Sequence, residues 1–353
     1  MERILIVKLS SIGDVVHTLP VLRTIRYNLP NAYIAWVVEE KAKAILDGNR
    51  DLDEIIAINT KRWRKSFNGS AVREFFDVVN ILRKDKFDIA IDLQGLLKSG
   101  IISYLSRATT IIGFDSRNCR EFLNILFTNK KVSPGSRDIH VVDKNLSLLN
   151  PLGFKEIKRE FFLNSSLPDD RYIDEFLSKR RREGKPLIAI NPGAGWRTKE
   201  WGIKNYAVMC NRLISEIGAD VILTMGPGEE GIVKDIVDSM SYEPIVAPPT
   251  SLKQLIALLK RCNLFIGGDT GPLHLAAALN ISTVAIYGPS DPARNGPYGD
   301  NHIIIHKKLD CSGCYKRNCN KIKCMEMISV DDVFEGVKEL SYLKTERRIY
   351  ANR

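Results

Sequence analysis

The chain has 353 residues, 44% of them hydrophobic, with 52 Lys/Arg against 42 Asp/Glu and a formal net charge of +10. That length exceeds what one hydrophobic core serves and predicts two domains, and the mixed composition excludes a disordered or low-complexity protein. The charge favours polyanionic partners such as nucleic acid, phosphorylated glycans or an anionic membrane face. Apolar runs are short and broken by charge, so no membrane span is expected. A strand that begins directly after Met-Glu leaves no room for a secretory signal, and a cytoplasmic protein is the reading.

Strands are predicted at 3–8, 33–38, 54–58, 88–93 and 110–113, with helical patterns at 72–84 and 96–106. The first strand runs into "KLSSIGDVVHTLP" (8–20). Ser11-x-x-Asp14 has capping-box spacing, which accounts for a serine and a carboxylate at a helix start. Asp14 also lies beyond the C-terminal end of a first strand, where open α/β sheets bind ligands. No Gly-x-Gly-x-x-Gly and no Walker sequence follows that strand, which demotes dehydrogenases and P-loop enzymes. Lys61-Arg62-Trp63-Arg64-Lys65 falls in an expected loop; Arg180-Arg181-Arg182 reads as a solvated helix end.

A linker is expected around 162–168. Beyond it, strands at 187–191, 220–225, 264–268 and 283–287 alternate with helices near 204–216, 229–239, 252–262 and 272–279. Near-continuous Ile/Val/Leu strands joined by helices predict parallel sheets covered on both faces. The fold class is therefore α/β, two Rossmann-like domains facing across a cleft: 1–165 and 166–329, with a helix and tail at 330–353 packing back on the first domain.

Two strand ends in the second half offer chemistry. "NPGAGWRTKEW" supplies Gly193 and Gly195 for close backbone approach and Lys199 as a point charge for phosphate. "GGDTGPLHL" places Gly271 at a helix N-cap beside Thr270, with Pro272 in the first turn, an arrangement suited to a diphosphate; Asp269 and His274 add polar groups at the same corner. Glu229, just past Gly226-Pro227-Gly228, reads equally as an acceptor for ribose hydroxyls or as a first-turn carboxylate.

Seven cysteines argue against a disulfide framework in a cytosolic chain. Cys119, Cys210 and Cys262 are expected as buried small hydrophobes. Cys311-x2-Cys314-x4-Cys319-x4-Cys324 has zinc-knuckle spacing with Cys in the His position. A structural zinc, an iron–sulfur cluster and four reduced thiols all fit it.

The segments "ILIVKLSSIGDVVHTLP" (4–20), "WVVEE" (36–40), "KRWRK" (61–65), "IDLQGLLKS" (91–99), "KEW" (199–201) and "GDTGPLHLAAAL" (268–279) occur in one order over nearly the whole chain. Together they resemble the bacterial lipopolysaccharide heptosyltransferases, the heptosyltransferase I branch most closely. The resemblance implies glycosyltransferase-B architecture, with the acceptor in the N-terminal domain and the donor in the C-terminal one. It implies transfer of L-glycero-D-manno-heptose from ADP-heptose to the Kdo inner core of lipid A, with inversion and no metal, at the cytoplasmic face of the inner membrane. Asp14 falls on the family's catalytic base. Lys199 and the Thr270-Gly271 helix start would stabilise the leaving ADP; Gly193, Asp269 and His274 would lie near the donor and Glu229 near its ribose. Arg62, Arg64 and Lys65 suit an anionic acceptor, and Arg120 and His140 would line its site. His17, three residues after Asp14, reads as a packed helix histidine or as an orienter of the base.

The cysteine segment departs from typical heptosyltransferase I chains and leaves heptosyltransferase II or another ADP-sugar transferase as alternatives. From a different class, a non-enzymatic RNA-binding protein with a zinc knuckle would use the positive charge, but the aromatic interleaving of a base-stacking surface is missing. A monomer that binds no nucleic acid is expected.

Overall fold

The Ile/Val/Leu runs of the first half become parallel strands with both faces covered, as β1 shows: Ile4, Leu5, Ile6 and Val7 have no exposed surface. In this computed structural model, residues 2–65, 69–136 and 139–351 are described, 64–65 and 341–351 by backbone alone. The strands are β1 (Arg3–Val7), β2 (Tyr33–Glu39), β3 (Glu54–Ile58), β4 (Ile89–Asp92), β5 (Thr110–Phe114) and β6 (Lys130–Val132), paired in the order β3-β2-β1-β4-β5-β6. A second set comprises β7 (Leu187–Asn191), β8 (Asp220–Leu223), β9 (Ile245–Val246), β10 (Leu264–Gly268), β11 (Ser282–Tyr287) and β12 (His302–His306), in the order β12-β11-β10-β7-β8-β9. Both are the 3-2-1-4-5-6 arrangement of nucleotide-binding sheets, the second read from its other edge. The chain divides between Asn164 and Ser165 into two units, one sheet in each.

Three strands absent from the sequence expectation, β6, β9 and β12, all lie at sheet edges. Their burial is partial, so an unbroken apolar run is not required of them: β6 is Lys-Lys-Val, β9 has two residues, and no residue of β12 is fully buried. The C-terminal helix Val330–Ala351 also differs from expectation. Its Val333, Phe334, Val337 and Leu340 join the core of the second unit. Gly336 makes that contact flush, since a Cβ there would lie 3.1–3.4 Å from Ile303, Ile305 and Val284. The side chains beyond 340 lie outside the described residues. Among the described residues no helix is long and apolar enough to cross a membrane.

Candidate functional site

Each sheet has a switch point, where neighbouring strands send the chain to opposite faces: β1/β4 in the first unit and β7/β10 in the second. Ligands of open α/β sheets bind beside such points, at the carboxyl ends of the strands.

In the first unit the loops that leave β1 and β4 are tied together. Lys8 is buried, and its Nζ donates to the Leu93 carbonyl at 2.8 Å. Gln94 Oε1 accepts from the Leu9 and Ser10 amides at 3.0 and 3.3 Å. Asp92 is also buried, and burial raises its pKa against four donors: the Gln94 and Gly95 amides, the Ser99 hydroxyl and the Asn124 side chain. Gly95 turns at φ +66°, and a Cβ there would sit 3.2 Å from the Arg120 amide, so glycine permits the approach that places Arg120.

On this frame starts the helix Ile12–Val16, with Ser11 as N-cap and Asp14 in its first turn. Asp14 Oδ2 accepts the Ser11 amide at 2.9 Å and the Ser11 hydroxyl at 3.1 Å, so the capping reading is correct. It is also incomplete. Oδ1 accepts no hydrogen bond from the described residues and faces Arg120 Nη2 at 3.6 Å. Burial acts to raise the Asp14 pKa, but Lys8, Arg120 and the Ser11 donors outweigh it and hold the carboxyl below its ordinary value. Asp14 is therefore an ionised carboxylate, 18% exposed, with one oxygen uncommitted.

His140 caps the helix Val141–Ser147, its Nδ1 accepting the Val142 amide at 3.2 Å, and its ring meets His17 edge-on with centroids 5.6 Å apart. His17 is buried there. The expected basic loop is a helix, Thr60–Lys65. Trp63 interrupts the basic run because it turns inward, against the first core and edge-on to Phe75. Arg62 bonds Glu74 at 3.4 Å and the Ser70 hydroxyl at 3.2 Å. The side chains of Arg64 and Lys65 lie outside the described residues. At the ends of β2 and β3 the structure instead gathers Glu39, Thr60 and Lys98: the Thr60 hydroxyl donates to Glu39, and Lys98 Nζ lies 3.5 Å from Glu39 Oε1 and 3.2 Å from Thr60 Oγ1.

In the second unit a short 3-10 turn, Arg197–Lys199, follows β7. Trp201 anchors it: the ring is buried, its Nε1 donates to Ile328 O at 2.8 Å, and Tyr206 meets it edge-on at 5.0 Å. Lys199 is thereby aimed at the end of β10, where its Nζ lies 2.5 Å from Asp269 Oδ2 and 3.1 Å from the Asp269 carbonyl. Oδ1 of the same carboxylate meets His274 Nε2 at 3.2 Å and Asn295 Nδ2 at 2.9 Å. Burial acts to raise the Asp269 pKa, yet the bond to His274 and the charges of His274 and Lys199 hold it well below the carboxylate range. Two of the three Lys199 N–H groups are thus engaged by Asp269, and Nζ also lies over the Trp196 ring at 4.3 Å.

Thr270, one residue earlier than expected, is the N-cap of helix Gly271–Ala278. Its hydroxyl turns back to the Gly268 carbonyl at 3.3 Å, so no side chain caps the helix, and the positive dipole end is left for an anion. Gly193 and Glu229 come together: a Cβ at Gly193 would lie 2.1 Å from the Glu229 carboxylate. Glu229 Oε2 accepts the Gly226 amide at 2.6 Å, which leaves Oε1 for a hydroxyl. A Cβ at Gly195 would meet nothing within 4 Å, so only the first of the two glycines is required by close approach.

Nothing in the sequence marks Asn295. It ends a one-turn helix, Pro292–Asn295, and is held by two tyrosines: its carbonyl accepts the Tyr287 hydroxyl at 2.7 Å and its Oδ1 the Tyr315 hydroxyl at 3.3 Å. Tyr315 lies inside the cysteine segment, which is stitched to the Lys199 loop as well. Thr198 Oγ1 donates to Lys316 O at 2.8 Å, and Arg317 stacks over Trp196 at 5.0 Å. Cys311, Cys314 and Cys319 are exposed and Cys324 is half-buried. Cys319 Sγ turns to the Lys321 carbonyl at 3.2 Å, and among the described residues no three His, Cys, Asp or Glu side chains are grouped to hold a metal ion. Of the other cysteines, Cys210 and Cys262 are buried as expected, whereas Cys119 is only half-buried.

Residues 76–325 match the sequence profile of glycosyltransferase family 9 (heptosyltransferase). Lipopolysaccharide heptosyltransferase 1 of Pseudomonas aeruginosa is 29% identical over 325 residues, which cover 90% of this chain and 87% of that protein. Among solved structures, a family 9 glycosyl transferase from Veillonella parvula superposes with a TM-score of 0.84 at 26% identity, covering 96% of this chain and 97% of that one. The Escherichia coli heptosyltransferase WaaC, solved with ADP, superposes with a TM-score of 0.79 at 26% identity, over 96% of this chain and 99% of that one. A non-enzymatic RNA-binding reading explains neither these likenesses nor the two switch-point carboxylates, and the chain belongs to glycosyltransferase family 9, the heptosyltransferases.

Proposed function

We propose that the chain transfers L-glycero-D-manno-heptose from ADP-heptose to the Kdo inner core of lipid A, with inversion and without a metal, as a monomer at the cytoplasmic face of the inner membrane. One observation carries the catalytic part of this reading: Asp14 is ionised, and among the described residues its Oδ1 accepts no hydrogen bond and meets only the Arg120 guanidinium, at 3.6 Å. That oxygen takes the proton of the acceptor hydroxyl as the hydroxyl oxygen bonds to the anomeric carbon and the bond to the diphosphate breaks. Arg120 beside Asp14, with Arg62, attracts the carboxylates and phosphates of such an acceptor. The Lys199 ammonium and the uncapped helix start at Thr270-Gly271 take up the charge of the departing ADP. Glu229 Oε1 accepts from the ribose, and the bare Gly193 leaves that carboxylate in reach.

The test is product mass spectrometry with ADP-heptose and a panel of truncated core lipids, with and without EDTA. Heptose on the Kdo-only acceptor, unchanged by EDTA, is the expected product. No product from that acceptor, with transfer to one already carrying heptose, would return the heptosyltransferase II assignment.

A further inference from the structure

One face of the first unit leaves its large apolar side chains uncovered. Helix Leu97–Leu105 packs on the 3-10 turn Phe122–Phe127: a Cβ at Gly100 would lie 3.1 Å from Phe127, and Tyr104 meets Phe127 edge-on at 5.9 Å. Ser99, Ile102 and Ser103 of the helix and Asn124 of the turn fill the inner side. On the outer side Tyr104, Phe122, Leu123 and Leu126 are 52–71% exposed, and Ile101 is exposed beside them. Single exposed apolar residues are ordinary, but a cluster on two packed elements marks an interaction surface. A cavity of about 510 Å³ opens between these elements, where Tyr104, Leu126 and Phe127 are joined by Arg83 and Arg107. Residues 97–136, which include both elements, carry six Lys/Arg against two Asp/Glu.

We infer that this face docks on an anionic lipid bilayer, its apolar side chains entering the headgroup region and its arginines meeting lipid phosphates. Exposed aromatic and leucine side chains amid basic residues have the chemistry of an interfacial surface, and a tyrosine suits the boundary itself. The patch runs the length of the unit: its Phe122 and Ile101 end adjoins the acceptor side, while the cavity with Arg83 and Arg107 lies by the amino ends of β5 and β6. Phe122 is two residues from Arg120, whose guanidinium faces Asp14, and Ile101 is one turn from Lys98, which faces Glu39. A glycolipid held in a membrane would then present its sugars to Asp14 from the same side. The bilayer contact deepens the membrane location proposed above by assigning it to a surface, and the presentation of sugars rests in addition on the acceptor proposed there.

The measurement is cosedimentation with acceptor-free vesicles, of phosphatidylcholine alone or mixed with phosphatidylglycerol. The wild-type chain should bind the mixed vesicles, less so as salt rises. Phe122→Ser/Leu123→Ser/Leu126→Ser should lower that partition by at least about 100-fold, since each side chain loses its burial. Arg83→Gln/Arg107→Gln should weaken binding only to the anionic vesicles. All these side chains are exposed, so the melting temperatures should stay at the wild-type value. A wild-type chain that ignores the mixed vesicles, or a triple variant that binds like wild type, overturns the inference. So does a wild-type dimer that the triple variant dissociates, because the face then belongs to a second copy. Transfer to a deacylated, soluble acceptor is scored in parallel and should be equal in wild type and triple variant. Loss of that transfer in the wild type, with vesicle binding intact, fails the acceptor reading and leaves the bilayer contact standing.

Discussion

At both switch points an aspartate lies beyond a strand end with a lysine nearby, yet the two carboxylates are completed differently. Asp269 has both oxygens engaged, one by Lys199 and the other by His274 and Asn295. Asp14 has one oxygen engaged, by Ser11, and one that only faces Arg120 from 3.6 Å. The lysines differ in the same sense: Lys199 is bonded to its aspartate, whereas Lys8 donates to the Leu93 carbonyl and acts on Asp14 only through space. A carboxylate with both oxygens committed is an anchor that fixes a cation for someone else's charge. A carboxylate kept ionised with one oxygen open is equipped to receive a proton. The two units thus repeat one topology and assign its carboxylate opposite work.

The largest effect should come from testing that division directly. Asn caps a helix about as well as Asp, and its oxygen can still accept the Ser11 donors. Asp14→Asn should therefore leave the melting curve and ADP affinity near wild type while kcat falls by about 10²–10⁴. A variant that turns over within a few-fold of wild type would reduce Asp14 to a cap and erase the contrast with Asp269.

The reciprocal change, Lys199→Met, should act on stability first. It leaves the Asp269 carboxylate buried without its closest cation, and breaking a buried pair costs about 3–5 kcal/mol. Adding Asp269→Asn should restore much of that loss, because no buried charge is left uncompensated, but ADP affinity should stay low. The pH dependence follows from the depressed Asp269 pKa. The contribution of this carboxylate is complete above the ordinary aspartate value of about 3.9 and is lost as pH falls toward its own lower one, so the double variant should be less acid-sensitive than wild type. Urea unfolding at neutral and acid pH, beside calorimetric ADP titration, checks both; a Lys199→Met chain as stable as wild type would show the pair contributes nothing.

What could be read from the sequence follows burial. The central strands are legible because both faces are covered, so they spell continuous Ile/Val/Leu; β6, β9 and β12 are edges and do not. Asp14, Lys199, Asp269 and Gly271 are legible because polar or glycine residues interrupt the chain right where those strands end. Asn295 is not, since it belongs to a one-turn helix after β11 and meets Asp269 only once the sheet has formed. Lys8 and Gln94 stood in quoted motifs without a role, because the bonds that explain them join β1 to β4 across 85 residues of chain. The basic run at 61–65 misled in the other direction: a loop was expected there, while Trp63 supplied the partly buried face of a helix.

A smaller effect should separate the acceptor-side cation from the base it faces. Arg120 helps to hold the Asp14 carboxyl below its ordinary value. Removing that charge in Arg120→Ala must raise the Asp14 pKa, so the acid limb of kcat/KM should move to higher pH, toward the ordinary aspartate value. KM for the acceptor should rise and ADP affinity should not change. An acid limb that stays in place would mean that Asp14 is not the titrating base or that Arg120 is too exposed to govern it.

The smallest expected effect probes why Asp269 needs a third partner. Tyr315→Phe removes the hydroxyl that donates to Asn295 Oδ1 at 3.3 Å, while the Tyr287 hydroxyl still holds the Asn295 carbonyl at 2.7 Å. One neutral hydrogen bond contributes about 0.5–1.5 kcal/mol, so ADP affinity should weaken by no more than about tenfold. A positioning role predicts a particular split: KM for the donor rises, kcat at saturating donor holds, and KM for the acceptor is untouched because Asp14 belongs to the other unit. A merely structural tyrosine would lower the melting temperature and leave donor KM alone. Cys319→Ser is the matched control from the same segment: among the described residues its exposed thiol bonds only the Lys321 carbonyl, so neither stability nor donor KM should respond. If Cys319→Ser changed donor KM as much as Tyr315→Phe, the segment would be acting as a whole on the Lys199 loop through Thr198 and Arg317, and Asn295 would lose its claim to orient Asp269.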